Sequence, residues 1–310
     1  MRAELHATRE ERDRLRAANP PSANASGDTM REAARLVHPS FFAQYETLRR
    51  VRDAAEQQAG RRHPIWDANA KLAGRDLARQ LGVAVPTLLA GPAPLARLAP
   101  PTDGRFVMKP VEGSSARGVF ALTRHANGFY SVLDDTHYTW GDITEIVQKL
   151  HADGQISEMF IIEELVEGTA ERTLPYDFKC YCFGGEVELV MQKDACDSRM
   201  SAHARFKFWD RTFTDLGAVR HADKIDPSLP APSHPAELIA AAETVASALP
   251  STFVRVDLYN PPSGVVFGEI TPHPGGTQLF DPATDRMLGD AWERAKSAEL
   301  ARDITGNLDM

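Results

Sequence analysis

The stretch FVMKPVEGSSARGVFAL, residues 106–122, limits the fold more than any other part of this chain. Two apolar runs with strand character, FVM and VFAL, flank a loop of glycine, serine and other small residues, and Lys109 closes the first run. A P-loop needs Gly-Lys-Ser/Thr after its glycines and then a helix, and a dinucleotide fingerprint also runs from its glycines into a helix. Here the lysine precedes the loop and a strand follows it. A kinase-type glycine loop shares the strand–loop–strand form, but no HRD or DFG element follows, and there is no GxSxG elbow. Small loops that offer backbone N–H groups beside a lysine suit phosphate. The expectation is a nucleotide clamped between sheets, with a long hairpin as the plain alternative.

The bulk properties narrow the classes. A chain of 310 residues carries ample core for one large domain or two ordinary ones. A formal charge of −8 argues against a nucleic-acid backbone as partner. That charge is uneven: residues 1–62 hold twelve arginines against nine acids, or +3, which leaves −11 for the rest. No apolar run is long enough to span a membrane. The segment MRAELHATREERDRLRAANP lacks an apolar core, so no secretory signal and a cytoplasmic location are expected. Cys180 and Cys182 alternate in a strand-like run and share a face; with Cys196 they read as reduced thiols, a three-cysteine metal site being the alternative.

Periodicity sets out the elements. A charged helix over 1–18 reads as solvated or as a homodimer contact, followed by a Pro/Ser/Gly linker at 19–28. A second helix over 29–58, carrying Ala33, Leu36, Val37, Phe41 and Leu48, reads as an appendage or dimerisation arm. WDANAKLAGRDLARQLGVAVP is expected to be one helix capped by Asp67 or Asn69, with Leu72, Leu77 and Leu81 on it, stopped by Gly82 and leaving through VAVP as a strand. A strand FYSVLDD, a helix near 141–152 and a buried strand EMFIIEELV follow. DFKCYCFGGEVELVMQK is a hairpin joined at Gly184-Gly185. Residues 194–232 read as a long ordered loop region. SHPAELIAAAETVASALP is a helix with Pro235 in its first turn and Leu238, Ala242, Val245 and Leu249 buried. Asp281 and Asp285 are expected to cap a helix.

FVRVDLY-NPPSG-VVFGEIT is a second hairpin. Period two puts Phe253, Arg255, Asp257 and Tyr259 on one face of its first strand and Phe267, Glu269 and Thr271 on one face of its second. Folding at Pro262-Ser263 brings Asp257 roughly opposite Glu269 and Arg255 roughly opposite Thr271, to within a residue or two of register. Two acids across a sheet repel by roughly 0.2–1 kcal/mol, so a cation should sit with them. Arg255 alone could serve, as a structural ion-pair cluster. Magnesium, a hard cation that takes carboxylate oxygens and fills its shell with phosphate and water, is the preferred alternative.

The order of Lys71, Lys109-Pro-x-x-Gly-Ser-Ser-x-x-Gly, IIEELV, RVD and GEIT resembles the ATP-grasp superfamily of carboxylate–amine ligases, over residues 63–290. YDFKCYCFGGEV, FVRVDLYN and GEITPHPGG resemble its TupA-like group, linked to cell-surface polymer and specialised-metabolite assembly. The resemblance implies an α+β ATP-grasp fold, a nucleotide clamped between two antiparallel sheet subdomains, with an N-terminal helical extension. The divisions expected are a 63–105 pre-grasp helix and strand, a 106–175 lid subdomain and hinge and a 176–290 C-terminal subdomain with the metal site, flanked outside the resemblance by a 1–62 helical extension and a 291–310 helix or tail.

The resemblance also implies roles. Lys71 and Lys109 would contact the nucleotide phosphates. Gly113, Ser114, Ser115 and Gly118 would form the lid loop. Glu163, Glu164, Leu165 and Val166 would be the hinge that reads adenine through the backbone of Glu164 and Val166, with the ribose acid at Glu167 or Glu171. Lys179 would lie near the γ-phosphate, Arg255 would steady the acyl-transfer intermediate, and Asp257 and Glu269 would hold one or two Mg²⁺ ions. Many relatives have Asn where this chain has Thr271, a poorer ligand, so a second ion would be weak or water-bridged. The partners implied are a small-molecule carboxylate and an amine.

Lysine is scarce, eight against twenty-seven arginines, yet Lys71, Lys109, Lys179 and Lys193 all fall in or beside motifs; Lys193 reads equally as a surface lysine. Arg199, His203 and Arg205 would hold a substrate or lie on a solvated face. His273 would line the acceptor pocket or simply sit in a rigid turn. An ATP-dependent ligase is the leading expectation, with a phosphotransferase on the same scaffold and a non-catalytic nucleotide-binding module as rivals.

Overall fold

The computed structural model describes residues 38–113, 116–169, 173–194, 204–220, 224–275 and 278–306. The chain divides into Met1–Pro39 and one compact unit, Ser40–Met310. The helix and linker expected before residue 38, and Ser114, Ser115, Glu171, Cys196, Arg199 and His203, lie outside the described residues.

The compact unit opens with helix α1 (Phe41–Ala59), whose N-cap Ser40 accepts the Ala43 N–H at 3.2 Å. Its first residue is a core residue: Phe41 is fully buried, 5.4 Å from the Phe253 ring and 5.7 Å from Trp292. An appendage was expected here, and over Phe41–Ala59 that expectation fails. The amphipathic stripe alone could not tell a solvent-facing arm from a helix that closes a core.

The single helix expected at 67–81 is two, α2 (Ile65–Asn69) and α3 (Lys71–Gln80), parted at Ala70, whose ψ of 127° is extended. Neither expected cap acts; Asn69 instead donates from Nδ2 to the Ile270 carbonyl at 2.7 Å, which ties α2 to the distant hairpin. The strand expected at VAVP is absent, and strand β1 (Leu88–Pro94) begins later. Pro86 has no N–H for a ladder, and the segment's carbonyls go to separate partners. Ala84 O accepts Phe267 N–H, Pro86 O accepts Arg75, and Thr87 O accepts Glu164 N–H. This segment therefore stitches together the two sheets of the unit.

The first sheet comprises β1, β2 (Arg105–Pro110), β3 (Phe120–His125), β4 (Gly128–Ser131), β5 (Thr136–Tyr138) and β6 (Met159–Glu164), in the order β1-β6-β2-β3-β4-β5. All its pairings are antiparallel. Helix α4 (Trp140–Ala152) packs on it through Ile143 and Val147, capped by a reciprocal Thr139–Asp142 box. The second sheet runs β11 (Val266–Thr271), β10 (Phe253–Tyr259), β7 (Asp177–Phe183), β8 (Glu186–Asp194), β9 (Arg205–Asp210), also antiparallel. The β7–β8 turn uses Gly184 and Gly185 at φ 59° and 97°, the left-handed pair a two-residue hairpin requires. β9 is a correction: RFKFWD was read as loop, yet it pairs along β8 from Leu189↔Asp210 to Asp194↔Arg205.

Alternation decides what covers each face of this second sheet. Phe178, Cys180, Cys182, Val254, Val256 and Leu258 pack under α5 (Pro235–Ser247), which presents Leu238, Ala242 and Val245. Burial pushes both thiols well above their ordinary range. On the other face, Tyr181, Phe183 and Phe253 lie under α1 and α6 (Pro282–Gly306). Asp281 caps α6 by accepting the Ala283 and Thr284 N–H groups, whereas Asp285 accepts the Phe42 N–H and so caps α1. α6 runs unbroken through 290–291, the division expected from sequence, and buries Trp292. Among the described residues no helix is long and apolar enough to cross a membrane.

Candidate active site

A cavity of about 630 Å³ lies between the two sheets. Lys71, Lys109, Gly113 and residues 163–166 line it from one side; Lys179, Arg255, Asp257 and Glu269 line it from the other. The sequence-predicted groups from distant parts of the chain thus share one space.

The second sheet supplies the floor. Register places Lys179 on β7 beside Asp257 on β10, and Asp257 beside Glu269 on β11; in the adjoining row Tyr181, Arg255 and Thr271 are aligned. This is the hairpin register expected from the sequence, with one difference. A bulge makes Gly268 an extra residue, so Phe267 pairs with Leu258 and joins the apolar core rather than sharing a face with Glu269. A Cβ at Gly268 would meet the Asp257 carbonyl at 2.9 Å, so glycine permits the close approach.

Asp257 is the hub. Arg255 donates to its two oxygens from Nε and Nη2, each at 2.7 Å, and Lys179 donates to Oδ2. Lys179 also pairs with Asp177 at 2.7 Å, and Arg255 Nη2 donates to the Thr271 hydroxyl at 3.2 Å. Burial favours the neutral carboxyl, but Arg255 and then Lys179 outweigh it and hold Asp257 down at about 2. Burial likewise opposes charge on Lys179 and Arg255, and their acidic partners overcome it and raise both. Glu269 differs. Its side chain is 47% exposed into the cavity and only 3.9 Å from Arg255, so the contact is loose. Displaced solvent, and then Asp257, push its carboxyl above the ordinary value.

The opposite wall is cationic. Lys109 on β2 pairs with buried Glu163 on β6 at 2.5 Å, and Arg75 Nε approaches the same carboxylate at 3.7 Å. Lys71, the first residue of α3, donates to the Gly113 carbonyl at 3.1 Å and so tethers the glycine loop. Burial lowers the Lys71 ammonium, Glu269 across the cavity opposes that, and Lys109 reinforces it. Within the loop, Ala116 takes a left-handed φ of 56° and lines the cavity with Arg117. Gly118 turns back against Ile156 and Pro110. The Glu164 N–H is already taken by the Thr87 carbonyl at 2.9 Å, so that donor is not free to face the cavity.

Magnesium can be tested against these groups. A small hard cation uses one or two carboxylates and takes the rest from phosphate and water. Glu269 fits, being anionic, weakly paired and open to the cavity. Asp257 keeps one lone-pair direction, on Oδ1, after its three hydrogen bonds. The Thr271 hydroxyl accepts from Arg255 and serves that guanidinium first. Among the described residues no group of three or more His, Cys, Asp or Glu side chains gathers as a complete cage. The set suits an ion shared with a phosphate.

Two expected substrate residues do not reach the cavity wall. Arg205 is held by Asp194 and, at 2.5 Å, by Asp226, because β9 is a paired edge strand rather than a loop. His273 stacks on Tyr45 with ring centroids 4.2 Å apart. Three residues were missed or undervalued. Asp177 lies two before Lys179 on the same strand face, Arg75 lies one helical turn after Lys71, and Lys193 is aligned with Asp177 and lines the cavity. Period two and period 3.6 signal the first two.

A family model described as TupA-like ATPgrasp matches residues 99–293. No curated protein matches the chain. Among solved structures it is similar to the VanG D-Ala:D-Ser ligase from Enterococcus faecalis, at 17% identity and TM-score 0.46, covering 74% of this chain and 61% of that one. An L-amino acid ligase from Bacillus licheniformis aligns at 14% identity and TM-score 0.45, covering 72% and 46%. A D-alanine–D-alanine ligase from Bacillus anthracis, complexed with ATP, aligns at 15% and 0.45, covering 76% and 69%. The chain thus spans less than two thirds of the first two.

Proposed function

This chain belongs to the TupA-like ATP-grasp family, and on that premise we propose that it is an ATP-dependent ligase, joining a carboxylate to an amine through an acyl phosphate. Assembly of a cell-surface polymer or a specialised metabolite is the setting that suits the family. The observation that carries the proposal is the shared cavity, with Lys71 and Lys109 on one wall and the Arg255–Asp257–Lys179 network with open Glu269 on the other.

The physical need is to bring two anions together, a carboxylate and a terminal phosphate. Unit charges 4 Å apart repel by about 1 kcal/mol in water and about 4 kcal/mol near a protein surface. Lys71 and Lys109 would take phosphate oxygens, and Glu163 holds the Lys109 ammonium in place for that contact. Lys179, fixed between Asp177 and Asp257, would face the terminal phosphate. The Arg255 guanidinium, locked by Asp257 and Thr271, is pre-aimed for charge that develops on the acyl centre. Glu269 and Asp257 would hold magnesium, which when bound supplies further neutralisation of the phosphate oxygens. The 113–118 loop would exclude water from the reactive acyl phosphate. Attack of the carboxylate oxygen on the terminal phosphorus would break its bond to ADP, which leaves, and form the acyl phosphate; attack of the amine on the acyl carbon would then expel phosphate and, with loss of a proton from nitrogen, form the amide.

The test is a mass-spectrometric screen of amino acids and carboxylates with ATP and magnesium. An amide product with phosphate release that depends on the amine is the expected result. Transfer of γ-phosphate label into the acceptor would instead establish a phosphotransferase.

A further inference from the structure

Residues 272–275 follow β11 directly, beginning one position after Thr271 and three after Glu269, and they end on Gly275 at the cavity wall. Pro272 and Pro274 carry no N–H, so this turn cannot pair as a strand would, and its carbonyls must find donors elsewhere. Two of them do. Gln278 Nε2 donates to the Gly275 carbonyl at 2.9 Å while Gln278 Oε1 accepts the Tyr181 hydroxyl, also at 2.9 Å. Tyr181 stands in the strand row of Arg255 and Thr271, so this contact ties the turn to the sheet that carries them.

The other donor comes from α1, which lies outside the residues that the family model matches. The Tyr45 hydroxyl donates to the carbonyl of buried Pro274, and among the described residues no other donor reaches that oxygen. The Tyr45 ring also stacks on His273, with centroids 4.2 Å apart and planes at 15°. Packing alone does not explain the hydroxyl. Tyr45 is only 3% exposed, and Phe41, one turn earlier, serves the same aromatic cluster with no polar atom. Phenylalanine at 45 would fill nearly the same volume, and a buried hydroxyl is costly unless it is bonded. Burial, and then Tyr181, push the phenol well above its ordinary value, so it stays a donor at working pH. Arg255 acts electrostatically on the same phenol, although Tyr45 does not itself line the cavity.

We propose that Tyr45 is a positioning residue for the chemistry of this cavity. Through the Pro274 carbonyl it holds the turn that sets Gly275 at the wall and keeps the end of β11, with Glu269 and Thr271, in place against Arg255. The inference rests on the ligase reading of the cavity. Lys71 and Lys109 lie on the opposite wall, so loss of the hydroxyl acts on turnover and not on nucleotide affinity.

Tyr45→Phe removes the hydroxyl and keeps the ring. Magnesium-dependent ATP turnover is measured on the full-length chain, per nucleotide site counted by titration with AMP-PNP and magnesium, for wild type, Tyr45→Phe and Phe41→Ala. Tyr45→Phe should lower kcat by roughly tenfold, as for one buried hydrogen bond, with KM for ATP unchanged and a nearly wild-type melting temperature. Phe41→Ala should lose far more melting temperature yet keep its turnover per site. A merely structural role for Tyr45 could not give that opposite ranking. Unchanged kcat in Tyr45→Phe, a KM for ATP that rises with the loss, or turnover that follows melting temperature in both variants would each overturn the inference and leave the ligase reading standing. Wild type that binds no AMP-PNP, or binds it and turns over no ATP, would overturn the ligase reading and the inference with it.

Discussion

One face of the five-stranded sheet has two ends of opposite character. At one end Phe253, Phe183 and Tyr181 lie under Phe41 of α1 and Trp292 of α6, an aromatic cluster closed to solvent. Two or four residues further along the same face of these strands, Arg255, Asp257 and Lys179 line the cavity. The aromatic end stabilises by area and dispersion, which require only that shapes fit. The charged end offsets a desolvation penalty with ion pairs and adds little net stability, but it fixes charges in position. The lesson is a division of labour within single strands: the apolar end gives the rigidity that the charged end needs for preorganised electrostatics.

The sharpest way to break that division is at its aromatic end. Phe41→Ala should cost about 3–5 kcal/mol in urea unfolding, as for a large core aromatic, while KM for ATP in the folded fraction stays unchanged. A negligible cost would return α1 to the status of an appendage. Next comes the charged hub. Asp257→Asn leaves Arg255 and Lys179 buried with a neutral partner and should cost about 3 kcal/mol by the same measurement. It should also abolish turnover, which Phe41→Ala should not.

Acid offers a gentler probe. Asp257 sits at about 2 in the fold, below its ordinary 3.8. Its contribution is therefore full above the ordinary value and is lost as pH falls through about 2. About 2 kcal/mol should disappear across that window, and urea midpoints of wild type and Asp257→Asn should converge there. Midpoints that stay equally far apart at every pH would show that the ion pair is not what Asp257 contributes. The smallest effect belongs to Glu269, whose raised carboxyl means that the fold disfavours its charge. Glu269→Gln should stabilise the ligand-free protein by less than about 1 kcal/mol at pH 7, solvent screening the half-open side chain. A loss of stability would mean that Glu269 pairs structurally with Arg255.

Much of the charged end was legible in the sequence because strand alternation is strict: Arg255 and Asp257 had to share a face, and folding at Pro262-Ser263 brought Asp257 near Glu269, the Gly268 bulge then setting them opposite. Order along the chain then put Lys109 and the glycine loop in the same fold. What escaped were features set by partners far away in sequence. Phe41 became core because α6 and β10 meet it, and α2 separated from α3 as Asn69 reached Ile270. The Gly268 bulge moved Phe267 to the other face, a one-residue slip that alternation cannot anticipate. RFKFWD was lost among loops since no tight turn announces β9. Tyr45 gave no signal, as a tyrosine in an exposed-looking helix shows nothing of its burial.

The most direct measurement is ATP turnover against magnesium for wild type and Glu269→Gln, with folding checked by urea midpoint. Wild type should turn over only with magnesium. The variant, equally folded, should fall by roughly 100-fold or more. Unchanged turnover in Glu269→Gln would contradict the view that the open acid of the charged end serves the chemistry.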